Sequence, residues 1–223
     1  LNKDYLNLLL ESELGDKNLI DEWVARGEAY IHCQPKGTVL HILSGNAPSI
    51  SVLSLIRGLL TKNINILKMS SGDLVTLSYF VQTFREVDSE HPITKSVSVV
   101  YWKQSNESLL ERFVELSDIL CVWGSGDAVE AIKSYSSGKE VLEFGPRRGI
   151  QLIGKEVFSD DESLKETVKK AAHDLVVFDQ EACFSPQLCF IEGNKEEAKK
   201  FAKEFENALL DEGSRLPKGI KSL

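Results

Sequence analysis

A cysteine in a polar, turn-prone stretch between two regular elements is the first group in this chain that could do covalent chemistry. The stretch is Phe178-Asp179-Gln180-Glu181-Ala182-Cys183-Phe184-Ser185-Pro186-Gln187; it follows a helix-like segment, Glu162 to Asp174, and precedes an apolar run, Leu188 to Ile191. A thiolate there would be a nucleophile on a rigid scaffold. A small buried cysteine fits the same stretch, because free cysteines are often core residues. Three further groups lie where strands give way to loops: Asn46 in Ser44-Gly45-Asn46-Ala47-Pro48, Lys68 before Ser70-Ser71-Gly72-Asp73, and Gly124-Ser125-Gly126. Each has a plain alternative. Asn46 can be a turn asparagine before Ala-Pro, Lys68 a solvated lysine, and Gly124-Ser125 a helix N-cap. The last segment holds two of the three glycines of a dinucleotide fingerprint, with Val129 in place of the third. It reads equally as a tight strand-to-helix turn.

The elements that must position these groups alternate in type. Tyr5 to Leu14 and Leu19 to Tyr30 carry helical periodicity. Strands are predicted over Thr38–Leu43, Ile64–Lys68, Ser96–Tyr101, Asp118–Trp123, Glu140–Phe144 and Ile150–Ile153. Helices are predicted over Ser51–Leu60, from Asp73 to about Val87, over Glu107–Leu116 and over Asp127–Tyr135. Strands alternating with helices predict an α/β fold with a parallel sheet and right-handed crossovers. Such sheets bind ligands outside the carboxyl ends of their strands, where the Ser44, Lys68 and Gly124 loops all fall.

Composition narrows the function class. The chain has 223 residues, 42% hydrophobic and 27% charged, with net charge −8 from 26 basic and 34 acidic residues. No basic stripe is visible, which argues against nucleic acid as a partner. Lys199, Lys200 and Lys203 alternate with Glu196, Glu197, Glu204 and Glu206 and read as a solvated helix face. Cys33, Cys121, Cys183 and Cys189 are scattered without paired spacing, so neither a disulfide framework nor a zinc site is expected. His32-Cys33 are adjacent and would point to opposite faces of a strand. Cys121 and Cys189 are expected in the core. A reduced, cytosolic protein without a signal peptide or membrane span is expected. The chain reads as a fragment: Leu1 is not an initiator methionine, and Lys218 to Leu223 follow a helix without a cap.

Together the segments resemble the aldehyde dehydrogenase superfamily, and more closely its acyl-CoA reductase branch, the fatty-acid reductases of bacterial luminescence. His41-Ile42-Leu43-Ser44-Gly45-Asn46-Ala47-Pro48 resembles the loop with the oxyanion-hole asparagine. Asn63-Ile64-Asn65-Ile66-Leu67-Lys68-Met69-Ser70-Ser71 resembles the cofactor-ribose strand, and Val122-Trp123-Gly124-Ser125 the Thr-Gly-Ser pyrophosphate turn. Glu143-Phe144-Gly145 resembles the Glu-Leu-Gly segment, and Gln180-Glu181-Ala182-Cys183 the Gly-Gln-x-Cys nucleophile motif. Thr61-Lys62-Asn63, His91-Pro92-Ile93-Thr94, Ser98-Val99-Val100-Tyr101-Trp102 and Ala171-Ala172-His173-Asp174 are similar to the luminescence-type reductases in particular. His173 itself is expected to cap or pack at a helix end.

The resemblance implies an aldehyde dehydrogenase-like fold: a Rossmann-type parallel sheet with helices on both faces over residues 1–177, binding NADP(H), and the start of a second, catalytic α/β domain over 178–223. It implies catalytic roles for Cys183, Asn46 and Glu143, and cofactor binding by Ser44, Lys68, Ser71, Gly124, Ser125 and Gly145. The family's glutamate after the ribose lysine is here Ser71, and a hydroxyl beside Lys68 accepts a 2′-phosphate that a carboxylate repels, so NADPH is the expected cofactor. The expected reaction reduces a long-chain fatty acyl-CoA, or an acyl group delivered by a partner protein, to the aldehyde through an acyl-cysteine. Expected partners are acyl-protein synthetase and transferase subunits of a fatty acid reductase complex, and a second copy of the full-length chain. A non-catalytic homologue in such an assembly, or a short-chain acylating dehydrogenase, are the competing readings. About forty residues follow Cys183, so the rest of the family's catalytic half and its oligomerisation hairpin are not in this chain.

Overall fold

The computed structural model describes residues 2–46, 48–145 and 147–219. Leu1, Ala47 of the Asn46 loop, Pro146, and residues 220–223 of the expected uncapped end lie outside them. The chain divides into two compact units, Leu1–Gly145 and Pro146–Leu223.

The first unit opens with α1 (Lys3–Leu14), capped by Asn2, whose side chain accepts from the Tyr5 N–H. The predicted helix over Leu19–Tyr30 is instead a tight 3-10 turn, Lys17–Ile20, and a hairpin of β1 (Val24–Arg26) and β2 (Ala29–Ile31). The reason is local. Gly27 adopts φ +63° in a two-residue connection between Arg26 and its partner Ala29, a geometry that closes a hairpin and breaks a helix.

The core follows: β3 (Thr38–Ile42), α2 (Pro48–Leu60), β4 (Ile64–Lys68), α3 (Thr76–Asp88), the short α4 (Pro92–Lys95), β5 (Val97–Val100), α5 (Glu107–Glu115), β6 (Ile119–Trp123), α6 (Gly126–Tyr135) and β7 (Glu140–Phe144). The five strands β3–β7 are all parallel, in the order β5-β4-β3-β6-β7. Each of the predicted strands from Thr38 to Phe144 is present. Alternate residues point to opposite faces. Leu40, Leu120 and Val122 pack with Leu110 and Val114 of α5 and Val129 of α6. Leu67 and Val97 pack with Leu55 of α2 and Leu77 and Val81 of α3 on the other face. Helices therefore cover both faces. The chain passes from β3 outward through β4 to β5, then returns to place β6 on the opposite side of β3. That reversal is the switch point at which open α/β sheets form a ligand crevice.

The second unit holds β8 (Gly149–Ile153), α7 (Asp161–Val176), β9 (Pro186–Ile191) and α8 (Lys195–Arg215). β8 and β9 form a parallel pair. Ile153, Leu164, Val168, Ala171 and Phe201 form its core. Asp160 caps α7 through the Ser163 N–H at 2.7 Å, and Asn194 with Glu197 forms a capping box on α8. The sequence placed a functional boundary at 177/178; α7 and β8 pack with β9 and α8, so they fold with the second unit. Cys189, expected in the core, is exposed. Among the described residues β9 pairs only with β8, and this small sheet buries Ile153 rather than Cys189. Among the described residues no helix is long and apolar enough to cross a membrane.

Candidate active site

The carboxyl ends of β3, β4, β5 and β6 surround a cavity of about 530 Å³ in the first unit, within the range of cofactor sites. Ser44, Lys68, Ser71 and Gly124 line it together. The strand register brings them there, because Ile42 pairs with Lys68, and Lys68 with Val100. Two glycines let the loops touch. A Cβ on Gly45 would lie 2.7 Å from Ser70 Oγ and 2.9 Å from Gly72 Cα, so only glycine allows the Ser44 and Ser71 loops to share one wall. Asp73 Oδ1 accepts the Val75 and Thr76 N–H groups at 3.1 and 2.9 Å and fixes the start of α3.

Lys68 is half-buried. Its Nζ lies 5.9 Å from the ring centroid of Trp102, which stacks on Phe113 at 4.8 Å. Burial lowers the amine's pKa. Among the described residues Lys68 has no carboxylate partner. An unpaired, partly desolvated cation over an aromatic face is an anion-binding arrangement. Ser125 caps α6, its Oγ accepting the Ala128 N–H at 3.3 Å. The Gly126 and Asp127 N–H groups that precede Ala128 have no acceptor among the described residues and are available to an anion. A Cβ on Gly124 would stand 3.2 Å from Ala128 Cβ, so the glycine keeps the turn close to the helix. Lysine, two serine hydroxyls, a glycine turn and a helix N-terminus along one wall fit the phosphates and ribose of a dinucleotide.

Asn46 is exposed, two residues beyond Ser44 on the same loop. Glu143, on β7, is held 2.6 Å from Lys133 Nζ of α6. Hydrogen bonds from that lysine to Glu143 and Glu130 raise its pKa. Gly145 ends the first unit, and a Cβ there would meet no described atom within 4 Å, so space does not require a glycine.

Cys183 belongs to the second unit, where it is half-buried in a turn closed by the Ser185 N–H to Ala182 O bond at 3.0 Å. Among the described residues nothing accepts from the Cys183 amide N–H. Ala182 and Ser185 are buried on either side while Phe184 is exposed. β8 passes directly beneath: a Cβ on Gly149 would lie 2.5 Å from Ser185 O and would also strike Phe184 O. The approach to the turn is strained. Phe178, Asp179 and Gln180 all take left-handed φ, at 60°, 53° and 61°. Each costs a non-glycine residue about 1–2 kcal/mol. Asp179 Oδ2 accepts the Gly219 N–H at 2.8 Å, and the Phe178 and Phe184 rings meet edge to face at 5.6 Å. Strain of this kind, held by surrounding contacts, is concentrated at functional sites.

The family described as Acyl-CoA reductase (LuxC) matches residues 1–223. The chain belongs to that family. Its relatives include the long-chain acyl-protein thioester reductase of Photorhabdus luminescens, 39% identical over 87% of this acyl-CoA reductase family chain and 40% of the relative. The reductase of the same name from Aliivibrio fischeri is 37% identical over 99% of the chain and 45% of the relative. The chain thus spans less than half the length of these relatives. Among solved structures, the aldehyde dehydrogenase KauB from Pseudomonas aeruginosa superposes with a TM-score of 0.69 at 22% identity, over 86% of this chain and 38% of that one. That likeness shows the fold.

Sequence reasoning passed over the supports of this site. Trp102 lies under Lys68, and its signal was an aromatic just beyond the strand that pairs with Lys68. Trp123 donates its Nε1–H to Ser54 Oγ at 3.0 Å and stacks on Phe144 at 3.9 Å, immediately before Gly124. No local signal marked Ser54.

Proposed function

We propose that this chain carries the cofactor unit and the nucleophile of an NADPH-dependent reductase that converts long-chain fatty acyl thioesters to aldehydes. The carrying observation is the cavity in which Lys68, Ser71 and Gly124 meet, in a chain whose relatives are named long-chain acyl-protein thioester reductases. Lys68 and Ser71 would hold the ribose and its 2′-phosphate; Ser44, Gly124, Ser125 and the start of α6 would hold the pyrophosphate.

Cys183 attacks as the thiolate, because the thiol is a poor nucleophile. Its sulfur forms a new thioester with the acyl carbon while the donor thiol leaves with the electron pair. The exchange is near-balanced, one thioester replacing another. The oxyanion of the tetrahedral stage needs preorganised donors; the Cys183 N–H is assigned as one, and the family resemblance implies the Asn46 amide as another. A reduced nicotinamide cofactor held by Lys68, Ser71 and Gly124 would supply the one hydride that the acyl carbon needs. The Cys183 thiolate is then expelled and the aldehyde released. Reduction needs no activated water, so Glu143, already paired with Lys133, acts here as a tie between β7 and α6. The donor is a fatty acyl-protein thioester or the acyl-CoA, within a fatty acid reductase assembly.

The test is covalent. Radiolabelled tetradecanoyl-CoA, or a tetradecanoyl-protein donor, should label Cys183; hydroxylamine should release the label, and NADPH should discharge it as aldehyde. Cys183→Ala should abolish labelling and leave NADPH binding unchanged. Labelling that persists in that variant places the nucleophile elsewhere. Absence of label on the parent, with NADPH binding intact, supports a cofactor-binding subunit without catalysis. Stronger labelling by acetyl-CoA supports a short-chain acylating dehydrogenase.

A further inference from the structure

We propose that Lys103 is a specificity-determining residue of this cofactor pocket, a second cation that with Lys68 selects a ribose 2′-phosphate. The inference rests on the cofactor reading above and deepens it. Lys103 lines the same cavity as Lys68, Ser70 and Ser71. The two lysines come from neighbouring strands: Lys68 ends β4, its partner Val100 ends β5, and Lys103 follows three residues later. Trp102 stands between them in the chain, and Lys68 lies over its ring. The ring fixes one cation while the next residue contributes the other.

The charges of the cavity are sorted. Lys68 and Lys103 line the side made by β4, β5 and the loops that follow them. Among the described residues the one acidic group lining the cavity is Glu107, at the start of α5. Glu107 faces Tyr135 of α6, which also lines the cavity, and burial together with this carboxylate raises the tyrosine's pKa, so the acidic group lies on the helix side. In a chain of net charge −8, this leaves a positive corner with two serine hydroxyls. A dianionic phosphate monoester matches that corner; a ribose 2′-hydroxyl leaves both cations without a counter-charge. Lys103 is exposed and has no ion-pair partner among the described residues, so its removal breaks no ion pair there.

Binding of 2′,5′-ADP and 5′-AMP to the full chain, by titration calorimetry, separates the 2′-phosphate from every other part of the cofactor. The parent should favour 2′,5′-ADP, and added salt should erode the preference. Lys103→Ala should weaken 2′,5′-ADP about tenfold, the scale of one charge-assisted contact, and leave 5′-AMP unchanged. Lys103→Arg should restore the preference, and Lys103→Glu should abolish it. An unchanged preference in Lys103→Ala, with a loss in Lys68→Ala, overturns the role of Lys103 and keeps the cofactor reading. Failure of the parent to bind either nucleotide overturns both.

Discussion

Acidification should destabilise the first unit through His41, and the size of the effect follows from its hydrogen bonds. His41 is 2% exposed in the central strand. Nε2 lies 3.0 Å from Asn65 Oδ1, and Nδ1 2.8 Å from Ser54 Oγ. The Asn65 amide donates to Asn63 O at 2.8 Å, which leaves Oδ1 as an acceptor and assigns the ring proton to Nε2. Nδ1 then accepts from the Ser54 hydroxyl. That oxygen in turn accepts from Trp123 Nε1–H and faces the Cys121 thiol at 3.6 Å. A second proton on the ring would point at an oxygen already engaged by two donors. Burial lowers the His41 pKa from 6.5 to about 4, against a smaller opposing effect of the Asn65 bond. Between those values the unfolded chain binds a proton that the native chain excludes, so stability rises with pH across the window and is lost as pH falls through it. The full shift corresponds to roughly 3 kcal/mol, of which about 2 kcal/mol is lost between about pH 7 and pH 5. Urea unfolding followed by tryptophan fluorescence at the two pH values, on the parent and on His41→Gln, measures it. Carboxylates such as Asp73 and Glu212 are common to both proteins and cancel in the difference. The variant should be less stable at neutral pH and lose about 2 kcal/mol less on acidification. Parallel losses would refute the assignment of a buried, neutral His41.

Ser71→Glu should place a carboxylate on the cavity wall and shift the binding ratio from NADPH towards NADH by about tenfold or more, read by titration with each nucleotide; an unchanged ratio removes Ser71 from the ribose site. Asn46→Ala should slow acyl reduction by roughly 10²–10³-fold with little change in NADPH affinity, the loss typical of one oxyanion donor; a near-normal rate would exclude it. Gly149→Ala should cost about 1–3 kcal/mol in urea unfolding and depress acyl labelling of Cys183, because the new methyl meets backbone oxygens of Phe184 and Ser185 that cannot rotate away.

The sheet was legible because its strands are short apolar runs that alternate with amphipathic helices, a pattern set by local spacing. The cavity wall was legible for a related reason: parallel strands bring their carboxyl ends to one edge, so Ser44, Lys68 and Gly124 had to converge once the topology was right. Leu19–Tyr30 was misread because helical periodicity outweighed one glycine, whereas the positive φ of Gly27 determines the hairpin. Cys189 was misread because alternation gives the side of a strand on which a residue lies and not whether a layer covers it. Ile150, Leu152, Leu188 and Phe190 make the same point. They are 53–73% exposed on adjacent positions of β8 and β9 although all four are apolar.

The setting of Cys183 was beyond any local reading. Propensity opposes three consecutive left-handed residues at Phe178, Asp179 and Gln180, none of them glycine. Their cost is offset by contacts that a window around the cysteine does not contain. Gly219, forty residues along the chain, donates to Asp179, and Gly149, more than thirty residues before Cys183, gives the turn room over β8. Glycine is required at 149 because of the fold of residues 184 and 185, and the geometry at 179 is held by an amide in the tail. Each requirement is long-range, so the motif predicts the chemistry of the sulfur while the strain that holds it depends on tertiary packing.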